Sequence, residues 1–118
     1  MGREITQKKR QEVFEMFDGR CAYCGCKLDR RLFECDHFLA VVRGGKIKDN
    51  LVPACADCNA LKGRLTIKDF RKKLSDGIVK DFHKRLLKKY YGIEYEAKEI
   101  EFYYEKENKF SYLKSEII

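Results

Sequence analysis

Cys35-Asp36-His37 places one of the chain's two histidines beside a carboxylate. Cysteine pairs flank it, Cys21-x-x-Cys24 before and Cys55-x-x-Cys58 after, and Asn50 and Asn59 complete the set. An imidazole titrates near neutral pH and can take a proton from water. With Asn59, the Asp36-His37 pair has the makings of a metal-dependent site for cutting a phosphodiester. Cysteines two residues apart can turn both thiolates toward one ion while amides of the turn donate to the sulfurs, and four thiolates suit a closed tetrahedral zinc. The expected zinc ligands are Cys21, Cys24, Cys55 and Cys58. Cys26 competes with Cys24 for that role, and Cys35 fits any buried thiol. A redox dithiol would call for a βαβ pattern that surrounds neither pair. His83, at helical spacing among Lys80, Lys84 and Arg85, reads as an exposed helix residue.

These groups need elements to position them. Thr6 is suited to cap a helix running to about Phe17, with Val13, Phe14 and Phe17 on its apolar face and Gly19 as its stop. Gly25 fits the tight turn of the first cysteine knuckle. Arg31 to His37 reads as a strand, and Val41-Val42 as a second extended stretch turning at Gly44-Gly45. A loop with Lys46, Lys48 and Asp49 leads to Asn50-Leu51-Val52-Pro53. The second knuckle opens a short helix. Thr66-Ile67-Lys68-Asp69 resembles a capping box and predicts a helix over 67–74 that buries Phe70 and Leu74. Ser75-Asp76-Gly77 breaks it. A further helix is expected over 78–91, with Val79, Phe82, Leu86 and Tyr90 on one face and Gly92 at its end. Ile100 to Glu105 is aromatic and β-prone and predicts a terminal strand. The last ten or so residues are expected to be loosely held.

At 118 residues and 44% hydrophobic, the chain is expected to form one domain with a small core. No apolar run approaches the about 18 residues of a membrane span, and nothing resembles a signal peptide. The expectation is a soluble, cytoplasmic protein, in which paired cysteines mean metal rather than disulfides. Of the net charge of +7, the excess lies in residues 62–89, with 11 Lys and Arg against 3 Asp and Glu. That block suits a polyanionic partner, nucleic acid first, or else a solvated helical face.

Asp36-His37, Gly44-Gly45, Asp49-Asn50-Leu51 and Cys55-x-x-Cys58-Asn59-x-x-Lys62 resemble the HNH endonuclease motif, and the flanking Cys-x-x-Cys pairs its zinc-bearing subgroup. The layout is similar to small HNH proteins common in bacteriophages and Gram-positive prophages. The resemblance implies an α+β fold: a ββα-metal core over about 20–65 with a structural zinc, a basic helical extension over 66–91, and a C-terminal strand and tail over 92–118. It implies a DNA endonuclease, nicking or cutting both strands of a duplex. His37 would be the general base, Asp36 and Asn59 the ligands of a catalytic metal, and Asn50 a brace for the loop that orients His37. The family commonly has histidine at the Asn59 position. This HNN variant offers an amide oxygen there, a harder donor that favours Mg²⁺ or Mn²⁺. Lys62 and Arg64 are placed to hold neighbouring phosphates.

The chemistry agrees: phosphodiester hydrolysis needs a water deprotonated near neutral pH and positive charge against the phosphate and the leaving oxygen. Two rival readings are a zinc-stabilised nucleic-acid-binding module without catalysis and an accessory protein of phage packaging or defence.

Overall fold

The structure, a computed structural model, describes residues 5–45 and 50–107. The expected loop residues Lys46, Lys48 and Asp49 and the expected loose C-terminus lie outside that range. Helix α1 (Gln7–Met16) begins as its cap predicts, with Thr6 Oγ1 accepting from Lys9 N at 3.1 Å. Val13 and Phe17 point its apolar side inward. Strands β1 (Glu34–His37) and β2 (Leu51–Ala54) pair antiparallel, His37 opposite Leu51 and Glu34 opposite Ala54. Helix α2 (Ala56–Lys62) follows β2 directly and packs back on β1, which completes the ββα unit. Helices α3 (Ile67–Asp76), α4 (Asp81–Tyr91) and α5 (Tyr103–Glu107) follow. No helix among the described residues is long and apolar enough to cross a membrane.

The main core is aromatic. Tyr23 stands edge-on to Phe70 and to Phe102, each at 5.5 Å between centroids, and Phe38 meets Tyr104 at 5.1 Å. Such pairs add about 0.5–1.5 kcal/mol each beyond their buried area. Val52, Ala54 and Ile67 fill between them, and Val13, Phe33 and Leu51 make a smaller cluster under α1. The core thus sits directly beneath the knuckles and the strand that carries Asp36.

Four expectations about elements are corrected. The first strand starts at Glu34, not Arg31. Asp29 captures the amides of Arg31 and Leu32 with its carboxylate and that of Phe33 with its carbonyl, so residues 29–33 turn. Val41–Arg43 is a 3-10 turn ended by left-handed Gly44, and the partner of β1 is Leu51–Ala54 instead. Pro53 fits within that strand because its carbonyl is the group in use, accepting from Ala22 N at 2.9 Å. The expected terminal strand is α5: Tyr103 and Tyr104 donate their amides to the Tyr23 and Ala22 carbonyls, and Glu105 Oε1 accepts from Phe102 N at 2.9 Å. The β-prone composition there reflects burial of Phe102 and Tyr104 rather than extension. Finally, α4 starts at Asp81, and its apolar face stays open, with Phe82 58% and Tyr90 68% exposed.

Candidate metal centre and active site

The first knuckle is a tight hairpin. Cys21 N donates to Cys26 O and Gly25 N to Cys21 O, and the turn passes through Gly25 at φ 79°. A Cβ at Gly25 would lie 2.8 Å from the Tyr103 ring, so α5 seats against the knuckle only with glycine there. The second knuckle is the start of α2, where Cys55 is the N-cap and its sulfur accepts from Cys58 N at 3.4 Å. Together they bring the sulfurs of Cys21, Cys24, Cys55 and Cys58 within 4.8 Å of one another. Cys24 and Cys55 are 3.9 Å apart. A tetrahedral zinc with bonds of about 2.3 Å separates its sulfurs by about 3.8 Å, so the donor set and spacing fit zinc.

The thiols need a cation to ionise together. A hydrogen bond from Cys58 carries the Cys21 thiol down to about 4, and sharing that proton drives Cys58 up. Burial, foremost, holds Cys24 up at about 12. One thiolate is stabilised by its neighbours and opposes the next. A divalent cation reverses that opposition for all four at once. Cys26 and Cys35 lie outside the cluster; Cys35 is half-buried on β1 and its thiol is raised by burial.

Asp36 and His37 end β1. Asp36 is buried, and its Oδ2 receives the Tyr23 hydroxyl at 2.5 Å and the Lys62 ammonium at 3.1 Å. Burial still holds its carboxyl above the usual carboxylate range, against the pull of Lys62 and Tyr23. Burial first, and then the Asp36 charge, keep the Tyr23 phenol protonated far beyond its ordinary range. Lys62 Nζ also donates to the His37 carbonyl at 3.1 Å. Lys62 is therefore not the surface phosphate contact expected beside Arg64. The face of α2 that carries it packs on β1, and its side chain is 0% exposed.

Asn50 bridges the two backbone polar groups of Leu39. It is fully buried, accepts from Leu39 N at 3.0 Å and donates to Leu39 O at 2.6 Å. Its own carbonyl takes Phe38 N at 2.7 Å. A Cβ on Gly45 would sit 1.9 Å from Leu39 O and 2.8 Å from Asn50 Nδ2, so the turn closes over Asn50 only with glycine.

Asp36 and His37 open onto a cleft of about 160 Å³ shared with Ala40, Val41, Val42, Gly63 and Arg64. Asn59 is half-buried on α2, outside the cleft lining but one turn before Lys62 on the same face. His83 is exposed on α4, as expected. Among the described residues Asp36 Oδ1 accepts no hydrogen bond. An oxygen donor and an imidazole at an open mouth suit a hydrated divalent cation. The inward partners of Asp36, Tyr23 and Lys62, are not identified as such by the sequence reading. Tyr23 does carry a signal, as the one large aromatic inside a zinc knuckle.

The two cysteine knuckles hold an antiparallel ββα unit with Asp36-His37 at the end of its first strand. Residues 21–65 match the model of the HNH endonuclease family. Over 69 residues the chain is 36% identical to "Uncharacterized protein R423" of Acanthamoeba polyphaga mimivirus, a match over 58% of this chain and 12% of that protein. The chain thus spans a small part of that relative. A solved structure, the Type II-C Cas9 enzyme from Actinomyces naeslundii, aligns at a TM-score of 0.46 and 25% identity, covering 59% of this chain and 8% of that one.

Proposed function

We propose that the chain is a metal-dependent DNA endonuclease that hydrolyses phosphodiesters at the Asp36–His37 cleft. The observation that carries the reading is that cleft: a mostly buried carboxylate and a half-buried histidine, consecutive at the end of β1, both line it together with Arg64, within the HNH-matching segment. His37 takes the proton of the attacking water. Asn50, by fixing both backbone polar groups of Leu39, stiffens the chain immediately after His37 and so limits where the imidazole can point. Asp36 and Asn59 would hold Mg²⁺ or Mn²⁺, which when bound supplies positive charge to the scissile phosphate and the leaving oxygen. Arg64, at the rim, is suited to a neighbouring phosphate. The four-cysteine centre holds a structural zinc that fixes β1 relative to α2.

Duplex DNA is the proposed substrate, with the basic α3–α4 segment adding phosphate contacts. The test is cleavage of supercoiled plasmid, linear duplex and single-stranded DNA with Mg²⁺, Mn²⁺ or EDTA. Cutting that needs the metal and disappears in a folded, zinc-loaded His37→Ala protein supports the reading. Equal cutting by His37→Ala refutes it. DNA binding with no cutting under any metal points to the non-catalytic module instead.

A further inference from the structure

The chemistry above leaves one buried charge unused. Lys62 has a fully enclosed side chain, yet its ammonium ends 3.1 Å from Asp36 Oδ2 and 3.1 Å from the His37 carbonyl. An enclosed ammonium is costly unless paired and hydrogen-bonded, and these two oxygens supply the pairing. The Tyr23 hydroxyl occupies the same carboxylate oxygen from the knuckle side. One oxygen of Asp36 is thus committed to the interior, while the residue also lines the open cleft. The Lys62 side chain is itself buried, and both oxygens its ammonium meets belong to β1. A divalent cation on Asp36 would therefore bind beside the ammonium, not in its place.

We propose that Lys62 is a positioning residue acting as a tethered cation: it locks the Asp36 side chain to the His37 backbone and weakens the hold of Asp36 on a divalent metal. The inference rests on Asp36 being a metal ligand. It predicts a site that is pre-shaped without metal and takes metal loosely.

The experiment titrates Mn²⁺ into zinc-loaded wild type, Lys62→Met, Asp36→Asn and the double variant, following free Mn²⁺ by electron paramagnetic resonance. Methionine keeps the unbranched stem as far as Cε and removes the charged nitrogen. Lys62→Met is expected to bind tighter by about tenfold, the order expected on deleting a unit charge that sits beside a ligand of a divalent ion even in a water-like dielectric. The double variant should lose that gain. Unchanged or weaker binding in a Lys62→Met protein that keeps its zinc and its melting transition overturns the proposal. Should Lys62→Met fail to fold, the wild type decides. Its ¹⁵N-labelled Lys62 ammonium resonance should shift with Mg²⁺ and saturate with it; a resonance indifferent to saturating Mg²⁺ overturns the proposal equally. A wild type with no Mn²⁺ uptake that Asp36→Asn abolishes refutes Asp36 as a ligand, a distinguishable failure of the underlying reading.

Discussion

Replacing Asn50 by Asp changes one atom type in a fully buried group. The Oδ1 acceptor for Leu39 N remains, but the donor to Leu39 O, 2.6 Å away, becomes an oxygen. Losing the bond to Leu39 O costs about 0.5–1.5 kcal/mol, and that buried carbonyl left without it adds about 1–3 kcal/mol. The expected destabilisation is roughly 2–4 kcal/mol, a large share of a typical stability of about 5–15 kcal/mol. It should depend on pH. When protonated, the introduced carboxyl can donate to Leu39 O again, so the folded variant holds that proton more tightly than the unfolded chain. This carboxyl therefore titrates above the ordinary value of about 3.9, and stability is lost as pH rises through that raised value. Urea unfolding with excess zinc at pH 5.5 and pH 8 should show a gap from wild type that widens toward pH 8. Plasmid cleavage at pH 8 should fall together with stability, since the same bonds hold the chain after His37. A variant that unfolds like wild type at both pH values would show that the amide is not a brace.

Zinc removal should unfold the domain, since a small aromatic core depends on the knuckles for its frame; a stripped protein with unchanged circular dichroism and melting would contradict a structural metal. Gly45→Ala should cost about 3 kcal/mol or more through the clash with Leu39 O, read by thermal melting, and an unshifted transition would rule out the close approach. Tyr23→Phe keeps the ring in the core but removes the hydroxyl on Asp36; about 1.5–3 kcal/mol of stability should go, and native-like urea unfolding would count against the bond. Arg85→Glu with Lys89→Glu on exposed α4 should flatten the salt dependence of DNA binding by about 0.9 for each phosphate no longer neutralised, and an unchanged slope would exclude α4 from the DNA surface.

What sequence made legible were the interactions that are local or unavoidable. Thr6 and Thr66 each cap within three residues, so their helices start where the pattern places them. Four thiolates have one natural use, and the two knuckles converge. The misplaced strands share a cause: Leu32, Val41-Val42 and Phe102–Tyr104 have β-like composition, but composition cannot separate extension from simple burial. Leu32 is 77% exposed in a turn, whereas Phe102 is buried at the start of a helix. The open face of α4 is the converse case, a clear apolar period with no fully buried residue on it.

Lys62 marks the deeper limit. Nothing local distinguishes a lysine at the end of α2 that reaches solvent from one that turns inward; the decision is made by Asp36, twenty-six residues earlier in the sequence. A carboxylate placed at the buried end of β1 needs a donor and a counter-charge, and the fold supplies both from the two cysteine-bearing segments, Tyr23 from the first knuckle and Lys62 from the helix the second knuckle opens. The four-cysteine cluster and the proposed cutting site therefore share a wall: the residue between Cys21 and Cys24 that packs against Phe70 and Phe102 is the one whose hydroxyl meets Asp36. Loss of metal from the cysteines should displace Asp36 before it disturbs α4, since Tyr23 is bonded to Asp36 and α4 has no fully buried residue. A metal held by the four cysteines would then position the carboxylate as well as staple the fold.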